Sequence, residues 1–275
     1  MFKKVSTMKC SSIMSTKNSH KSGFTLIELL VVIAIIAVLM AILMPSLQRI
    51  KKQAQAVVCE NNQHSWALLF QMYAQDYNDK LMPGFDCTIG SNGRDGRWSW
   101  MYTLKPYYGD CNDIRLCPRA SRTVNQGGHM PWAAWGKINE QYPYVKGEYG
   151  SYGINSWVTS DKANSITLIG KWKWGTMSQK QPNRIPLMLD SGFFLTRAND
   201  TDKPPEEDGE FNWSYGGGLK RVAHDRHNGR INVAFLDLSV RKVRLKRLWQ
   251  LKWHRQFDTT VYDRMDWPKW IQRYD

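Results

Sequence analysis

Residues 21–54 read KSGFTLIELLVVIAIIAVLMAILMPSLQRIKKQA, and the architecture follows from them. From Leu29 to Met44, sixteen residues pass without a polar side chain. Phe24 to Met44 is 21 residues, about 31 Å as a helix, which matches a bilayer core of about 30 Å. Residues 1–23 carry Lys3, Lys4, Lys9, Lys17 and Lys21, no acid, and many Ser and Thr. That composition reads as a targeting tail, and its cations place the amino end in the cytoplasm. Gly23 stands before the apolar run and Pro45 at its far end. A secretory signal would instead put its small-residue cleavage site after the run. One membrane span with an exported remainder is the expectation, and a fully water-soluble chain is excluded. Glu28 is the anomaly, because a carboxylate at membrane depth is expensive and marks function.

The string from Lys21 to Ala54 resembles the class III signal of type IV pilins and type II secretion pseudopilins. The resemblance implies a membrane aspartyl peptidase that cuts between Gly23 and Phe24 and methylates the new Phe24 amine. It implies that Glu28 neutralises the amino terminus of a neighbouring subunit, where a paired charge fixes register and an unpaired one is costly. Pro45 removes one helix donor and permits local unwinding when subunits pack. The domains expected are therefore a leader at 1–23, a transmembrane half-helix at 24–45, a head-proximal amphipathic half at 46–80, and a head at 81–275.

Helical periodicity continues past Pro45 through Leu47, Ile50, Ala54, Val57 and Val58, then Trp66, Leu69, Phe70 and Tyr73, predicting an amphipathic helix to about Tyr77. Asn78, Asp79, Pro83 and Gly84 stop it. The stretch from Cys59 to Asn78 also looks like the head-proximal helix of pseudopilin-like proteins. From Leu81 to Lys220 no long helical pattern is seen; Gly, Pro, Asn and aromatics recur, and runs such as Ile166–Ile169 and Ile185–Leu189 read as strands. The fold class is α+β: a long amino-terminal helix packed on a β-rich, loop-rich head.

Near the carboxyl end, Asn228-Gly229 predicts a turn, Ile231, Val233 and Phe235 alternate as one strand face, and Val240 to Leu245 returns. His227 and Asp237 resemble the His-x9-Asp-Gly ending of prepilin-processing-associated proteins, with Leu238 where that pattern has Gly. Gly supplies a positive φ, so a different turn or some strain is expected. His227 is expected to hydrogen-bond within the hairpin, with Asp237 the partner in reach.

Four cysteines remain after the leader carries away Cys10: Cys59, Cys87, Cys111 and Cys117. An even count in an exported head favours disulfides over free thiols, with three connectivities open. Cys111 and Cys117 have poor spacing for zinc, so no metal is expected. Loss of the five leader lysines lowers the formal charge from +14 to +9. Arg241, Lys242, Arg244, Lys246, Arg247, Lys252 and Arg255 interleave with Trp249 and Trp253. An amphipathic helix capping the head, with Leu245, Leu248, Trp249, Leu251 and Trp253 in its core, is preferred over nucleic-acid binding. The acidic loop of Asp200, Asp202, Glu206, Glu207, Asp208 and Glu210 lacks the ligand order of an EF-hand; calcium is an alternative to a solvated loop there, and no other cofactor is expected. His224, Asp225, His227 and Asp237 are the residues from which an acid–base pair would be built, but no hydrolase, metalloprotease, P-loop or dinucleotide motif is present, so no enzyme is expected.

The function expected is a structural subunit of a type II secretion pseudopilus or a pilus-like filament. Its partners would be a prepilin peptidase and methyltransferase, homologous pilin or pseudopilin subunits, the assembly machinery of a bacterial inner membrane, and lipid. The alternative is a membrane-tethered binder of carbohydrate or DNA that uses the signal only for export.

Overall fold

The computed structural model describes residues 25–83, 100–124, 130–136, 147–160, 171–210 and 217–274. The chain divides into two compact units, 1–48 and 49–275. The first helix, α1 (Leu26–Asp76), contributes to both. The leader, Gly23, Phe24, Cys87 and the expected Ile166–Ile169 strand lie outside the described residues.

In the first unit every described side chain is exposed, from Leu26 at 78% to Leu47 at 63%. Among the described residues α1 is the one helix long and apolar enough to cross a membrane. It runs on through Pro45. Ser46 Oγ, one residue later, donates back to the Ile42 carbonyl at 3.5 Å, the local back-bonding typical of Ser in a helix.

In the second unit α1 buries Ala56, Cys59, Gln63, Trp66, Ala67, Leu69, Phe70, Tyr73 and Ala74, a stripe at helical spacing. Val57 and Val58, expected on the inner face, are exposed, as are Ile50 and, in the first unit, Leu47. The sheet covers the side of the helix that carries Cys59 and Gln63, so apolar periodicity alone chose the wrong face there. The helix ends one residue short of Tyr77. Asn78 and Asp79 take left-handed φ of 55° and 64°, and Asp79 N donates to the Ala74 carbonyl at 2.7 Å, a Schellman-type close.

Five strands form the main sheet: β4 (Tyr152–Asn155), β5 (Pro186–Asp190), β6 (Leu195–Thr196), β7 (Arg230–Phe235) and β8 (Val240–Arg244), in the order β6-β4-β5-β7-β8. Only the β4–β6 pair is parallel. A smaller sheet joins β1 (Arg122–Val124), β2 (Ala133–Gly136) and β3 (Tyr149–Gly150). The expected strand over 185–189 is β5, and the expected hairpin is β7–β8. The strand β7, expected to alternate, is buried at five consecutive positions from Ile231. Both its faces are covered. Ala234 joins the core of Trp66, Phe70, Met188 and Ile154, whereas Ile231, Val233 and Phe235 join that of Leu245, Trp249, Trp253 and Phe257.

A second helix, α2 (Trp100–Tyr108), was not foreseen. Trp100, Met101, Leu104 and Tyr108 form its buried face, and Trp100 meets Trp66 edge-on at 4.8 Å. The carboxyl-terminal helix expected as an amphipathic cap is instead a pair of 3-10 segments, Leu245–Gln250 and Thr259–Arg264, followed by the short α3 (Lys269–Gln272). Its apolar residues are core as expected: Leu245, Leu248, Trp249 and Trp253 are fully buried, with Leu251 packed at the edge.

Candidate functional site

At the amino end of α1, Thr25 and Glu28 form a capping box. Glu28 Oε2 accepts from the Thr25 backbone N at 2.8 Å and from Thr25 Oγ1 at 2.7 Å, and Thr25 Oγ1 accepts from Glu28 N at 3.3 Å. Glu28 thus opens the helix within its own chain, a use that the Thr-x-x-Glu spacing would have shown. The residues on either side of the expected cleavage junction, Gly23 and Phe24, lie outside the described set.

The carboxyl-terminal motif separates in space. Asp237 is exposed and accepts from Ser239 N at 3.1 Å and Ser239 Oγ at 2.6 Å. His227 turns the other way and sets Nε2 3.2 Å from Asp190 Oδ2 and 3.5 Å from Cys117 Sγ. The expected His227–Asp237 contact is therefore corrected to His227–Asp190. The type I′ geometry of Asn228 and Gly229, both at positive φ, starts β7 and points His227 back across the sheet. Leu238, in place of Gly, sits at φ 66°, where the missing glycine would have been unstrained, and its side chain packs against the core.

Cys59 from α1 and Cys117 complete the set. Cys59 Sγ donates to Asp190 Oδ1 at 3.2 Å and accepts from the Tyr152 hydroxyl at 3.4 Å. The ligating atoms of Cys59, Cys117, Asp190 and His227 all lie within 4.8 Å of one another, and all four residues are buried. Arg226, fully buried, places Nη1 3.5 Å from Asp190 Oδ1 and hydrogen-bonds the carbonyls of Pro131, Ser151, Ala133 and Ser191. Asn232 N donates to Asp190 Oδ2 at 2.8 Å. His227 Nδ1 has no partner.

These neighbours reorder the charges. Burial opposes ionisation of Cys117, but the Cys59 thiol and His227 bring it down to about 6. Burial likewise opposes charge on His227, and Asp190 overrides it, carrying the ring up to about 9. Burial alone would raise Asp190; His227 and Arg226 hold it well below the usual carboxylate range. Burial pushes the Cys59 thiol up. Without a metal, the group is a thiolate–imidazolium pair beside a carboxylate–guanidinium pair. Such a thiolate is chemically a nucleophile, but Cys117 and Cys59 are 0% exposed, so no substrate meets it in this state.

Cys59, Cys111 and Cys117 are free thiols, and Cys111 is exposed. Among these three, the expected disulfides are not formed. The other residues considered for acid–base work go elsewhere. Asp225 accepts from Gly229 N and the Tyr274 hydroxyl, and His224 is buried with Nε2 unpartnered. In the acidic loop four of the six carboxylates are spent on the protein's own donors, and Glu206 and Glu207 are exposed. Asp202 takes Asn199 N, Gly217 N and Leu219 N, Asp208 takes Asp225 N, Asp200 takes Asp258 N, and Glu210 takes Glu206 N and pairs with Lys220. Asp190 and Arg226 were missed in the sequence. A lone Asp closing the apolar run Pro186–Leu189 was the available signal.

Residues 18–44 match the prokaryotic N-terminal methylation motif. That motif supports a pilin-like protein. With the exposed apolar half of α1 it fits a membrane-anchored, exported chain processed by prepilin peptidase, and the structural role typical of pilin-like proteins. The match stops before the head. No curated protein and no solved structure matches the chain significantly.

Proposed function

We propose that the protein is a pseudopilin-type subunit, cut between Gly23 and Phe24, that assembles through α1 into a type II secretion pseudopilus or related filament at a bacterial inner membrane. The observation that carries this reading is the methylation motif over 18–44 together with the apolar first half of α1, in which every described side chain is exposed. Lipid first, and the helices of homologous subunits afterwards, supply the missing cover. Phe24 precedes Thr25 in the sequence, and the amine of a neighbouring subunit would compete for Glu28 with Thr25 N. The amino end is cytoplasmic by its lysines, and the head is exported. The tethered-binder alternative loses much of its surface, because Trp249 and Trp253 are buried.

The test is the mass of the amino-terminal peptide of the membrane-extracted chain, paired with Glu28→Ala. Methylated Phe24 at the terminus, and a variant that is processed and localised but no longer assembles, are the expected results. An intact Met1, a cut beyond Met44, or assembly that survives Glu28→Ala would overturn the proposal.

A further inference from the structure

We propose that Cys59, Cys117, Asp190 and His227 form a closed structural site for one divalent transition metal, zinc by their chemistry. The inference rests on the head and stands independently of the filament reading.

Two sulfurs, one imidazole nitrogen and one carboxylate oxygen are the donor types and the number that tetrahedral zinc takes in structural sites. The spacing fits as well. Bonds of about 2.0–2.3 Å arranged tetrahedrally set neighbouring donors about 3.3–3.8 Å apart. The distances here are 3.5 Å from Cys117 Sγ to His227 Nε2 and 3.2 Å to Asp190 from each side, Cys59 Sγ meeting Oδ1 and His227 Nε2 meeting Oδ2, with all four donors within 4.8 Å of one another, so binding through one carboxylate oxygen asks for a small turn of the Asp190 carboxylate. Charge balances too. Two thiolates and a carboxylate carry three negative charges, which a divalent cation and the buried Arg226 guanidinium cancel, as a dry site requires. Around the donors stands a supporting set of the kind metal sites use. Arg226 and Asn232 N hold Asp190 in orientation, Tyr152 donates to Cys59, and Ser151 Oγ accepts from Cys117 N.

On coordination the Cys59 thiol and the Cys117–His227 pair each give up one proton to solvent, both sulfurs bind the metal as thiolates and the ring binds neutral, and no electrons are transferred. His227 also lines an open groove with Arg49, Lys52, Arg119, Arg230 and Lys242. Those cations repel a free metal ion, so loading belongs with folding of the exported chain, as is usual for closed zinc sites. A Cys59–Cys117 disulfide would account for the two sulfurs but not for His227 and Asp190 being aimed at them. The site joins α1 to the end of β5 across 131 residues of sequence, and the segment at Cys117 to the loop before β7 across 110. It therefore clips the head to its helix.

The experiment uses the full chain, extracted in mild detergent without chelator or reductant. Metal content and cysteine alkylation are measured on wild type, Cys111→Ser and His227→Gln, and zinc is then exchanged for Co2+. Expected are one zinc per chain in wild type and in Cys111→Ser, and no alkylation of Cys59 or Cys117 until a chelator is added. Zinc affinity, read as the chelator concentration that strips half the metal, should fall at least about tenfold in His227→Gln, since even outer-shell changes at such sites cost about 10–100-fold in affinity. The cobalt form should show a tetrahedral, thiolate-ligated spectrum. A metal-free wild type with a Cys59–Cys117 disulfide in non-reducing peptide maps overturns the proposal. So does zinc that follows Cys111, or alkylation of Cys117 in zinc-loaded protein. Should His227→Gln fail to fold, wild-type metal content and the loss of thermal stability on chelation decide the matter.

Discussion

On acidification the head is expected to lose stability through His254. Its ring is 2% exposed, stacked on Trp172 at 5.0 Å and 15°, with Trp157 and Phe257 edge-on at 5.0 and 5.3 Å. Neither ring nitrogen has a partner. Burial, with Lys252 adding to it and Asp200 opposing, brings the imidazole down to about 4. The unfolded chain, with a His near 6.5, therefore binds its proton first as pH falls. The stability that the neutral buried ring contributes is complete above about pH 6.5 and is lost progressively down to about pH 4. At about pH 4.5 the loss amounts to about 2.5 kcal/mol. With a urea dependence of about 2–3 kcal/mol per molar, the unfolding midpoint should drop by about 1 M relative to its value at about pH 7.5. The assay is urea unfolding of the detergent-extracted full chain, followed by Trp fluorescence, for wild type and His254→Phe at both pH values. Phe keeps the aromatic stack and removes the titration. At neutral pH it should also match or exceed wild type, because it removes two unpartnered buried nitrogens. Asp202, Asp208 and the Cys117–His227 pair titrate in both proteins, so the difference between the two pH shifts isolates His254. Equal shifts in the two proteins would refute the reasoning.

Two further changes probe the carboxyl-terminal hairpin. Gly229 holds φ 71°, and a Cβ there would stand 2.2 Å from Tyr274 Cγ. Gly229→Ala should cost about 1–2 kcal/mol in backbone strain alone and dislodge Tyr274. The phenol that burial and the Asp225 hydrogen bond hold up at about 12 should then titrate near its ordinary value, as read by ultraviolet difference absorbance; an unchanged titration would count against the contact. Asp237→Ala removes only the turn bonds to Ser239 and should cost about 1 kcal/mol or less. A double-mutant cycle between Asp237→Ala and His227→Gln should show coupling below about 0.5 kcal/mol, and a larger value would restore the direct His–Asp pairing that the sequence suggested.

What the sequence disclosed was local in character. An uninterrupted apolar run and a 3.6-residue period announce α1, because both are properties of neighbours along the chain. Asn228-Gly229 announces the turn that opens β7 because that dipeptide tolerates two positive φ values in succession. The misreadings all depended on what arrives from elsewhere. Val57 and Val58 look like core residues until the sheet is found to lie on the Cys59 side. Asn232 and Ala234 look solvent-facing until α1 covers that side of β7. In α2 the buried spacing Trp100, Leu104, Tyr108 was legible, but Pro106 and the surrounding aromatics imitate a loop. His227 was singled out correctly and paired wrongly. Its spacing to Asp237 is visible in one dimension, whereas Asp190 reaches it only through the pairing of β5 with β7.

The division of labour along α1 explains why its middle carries so much polar chemistry. Beyond Trp66 the helix is held by an aromatic packing of Trp66, Phe70 and Tyr73 with Trp100 and Tyr108. Between Ala56 and Gln63 it presents few large apolar side chains to the sheet, and directed contacts take over. Asn232 Nδ2 donates to the Ala56 carbonyl, Gln63 Nε2 to the Asn232 carbonyl, Asn62 Nδ2 to the Leu116 carbonyl, and Lys242 pairs with Glu60 at 2.7 Å. Dispersion contacts permit sliding at small cost, whereas hydrogen bonds and metal bonds fix register. In the proposed filament a pull on the helix would be resisted first at the end of its head-bound stretch that lies nearer the apolar run. Directed contacts are what that end needs, and Cys59 lies in the middle of them.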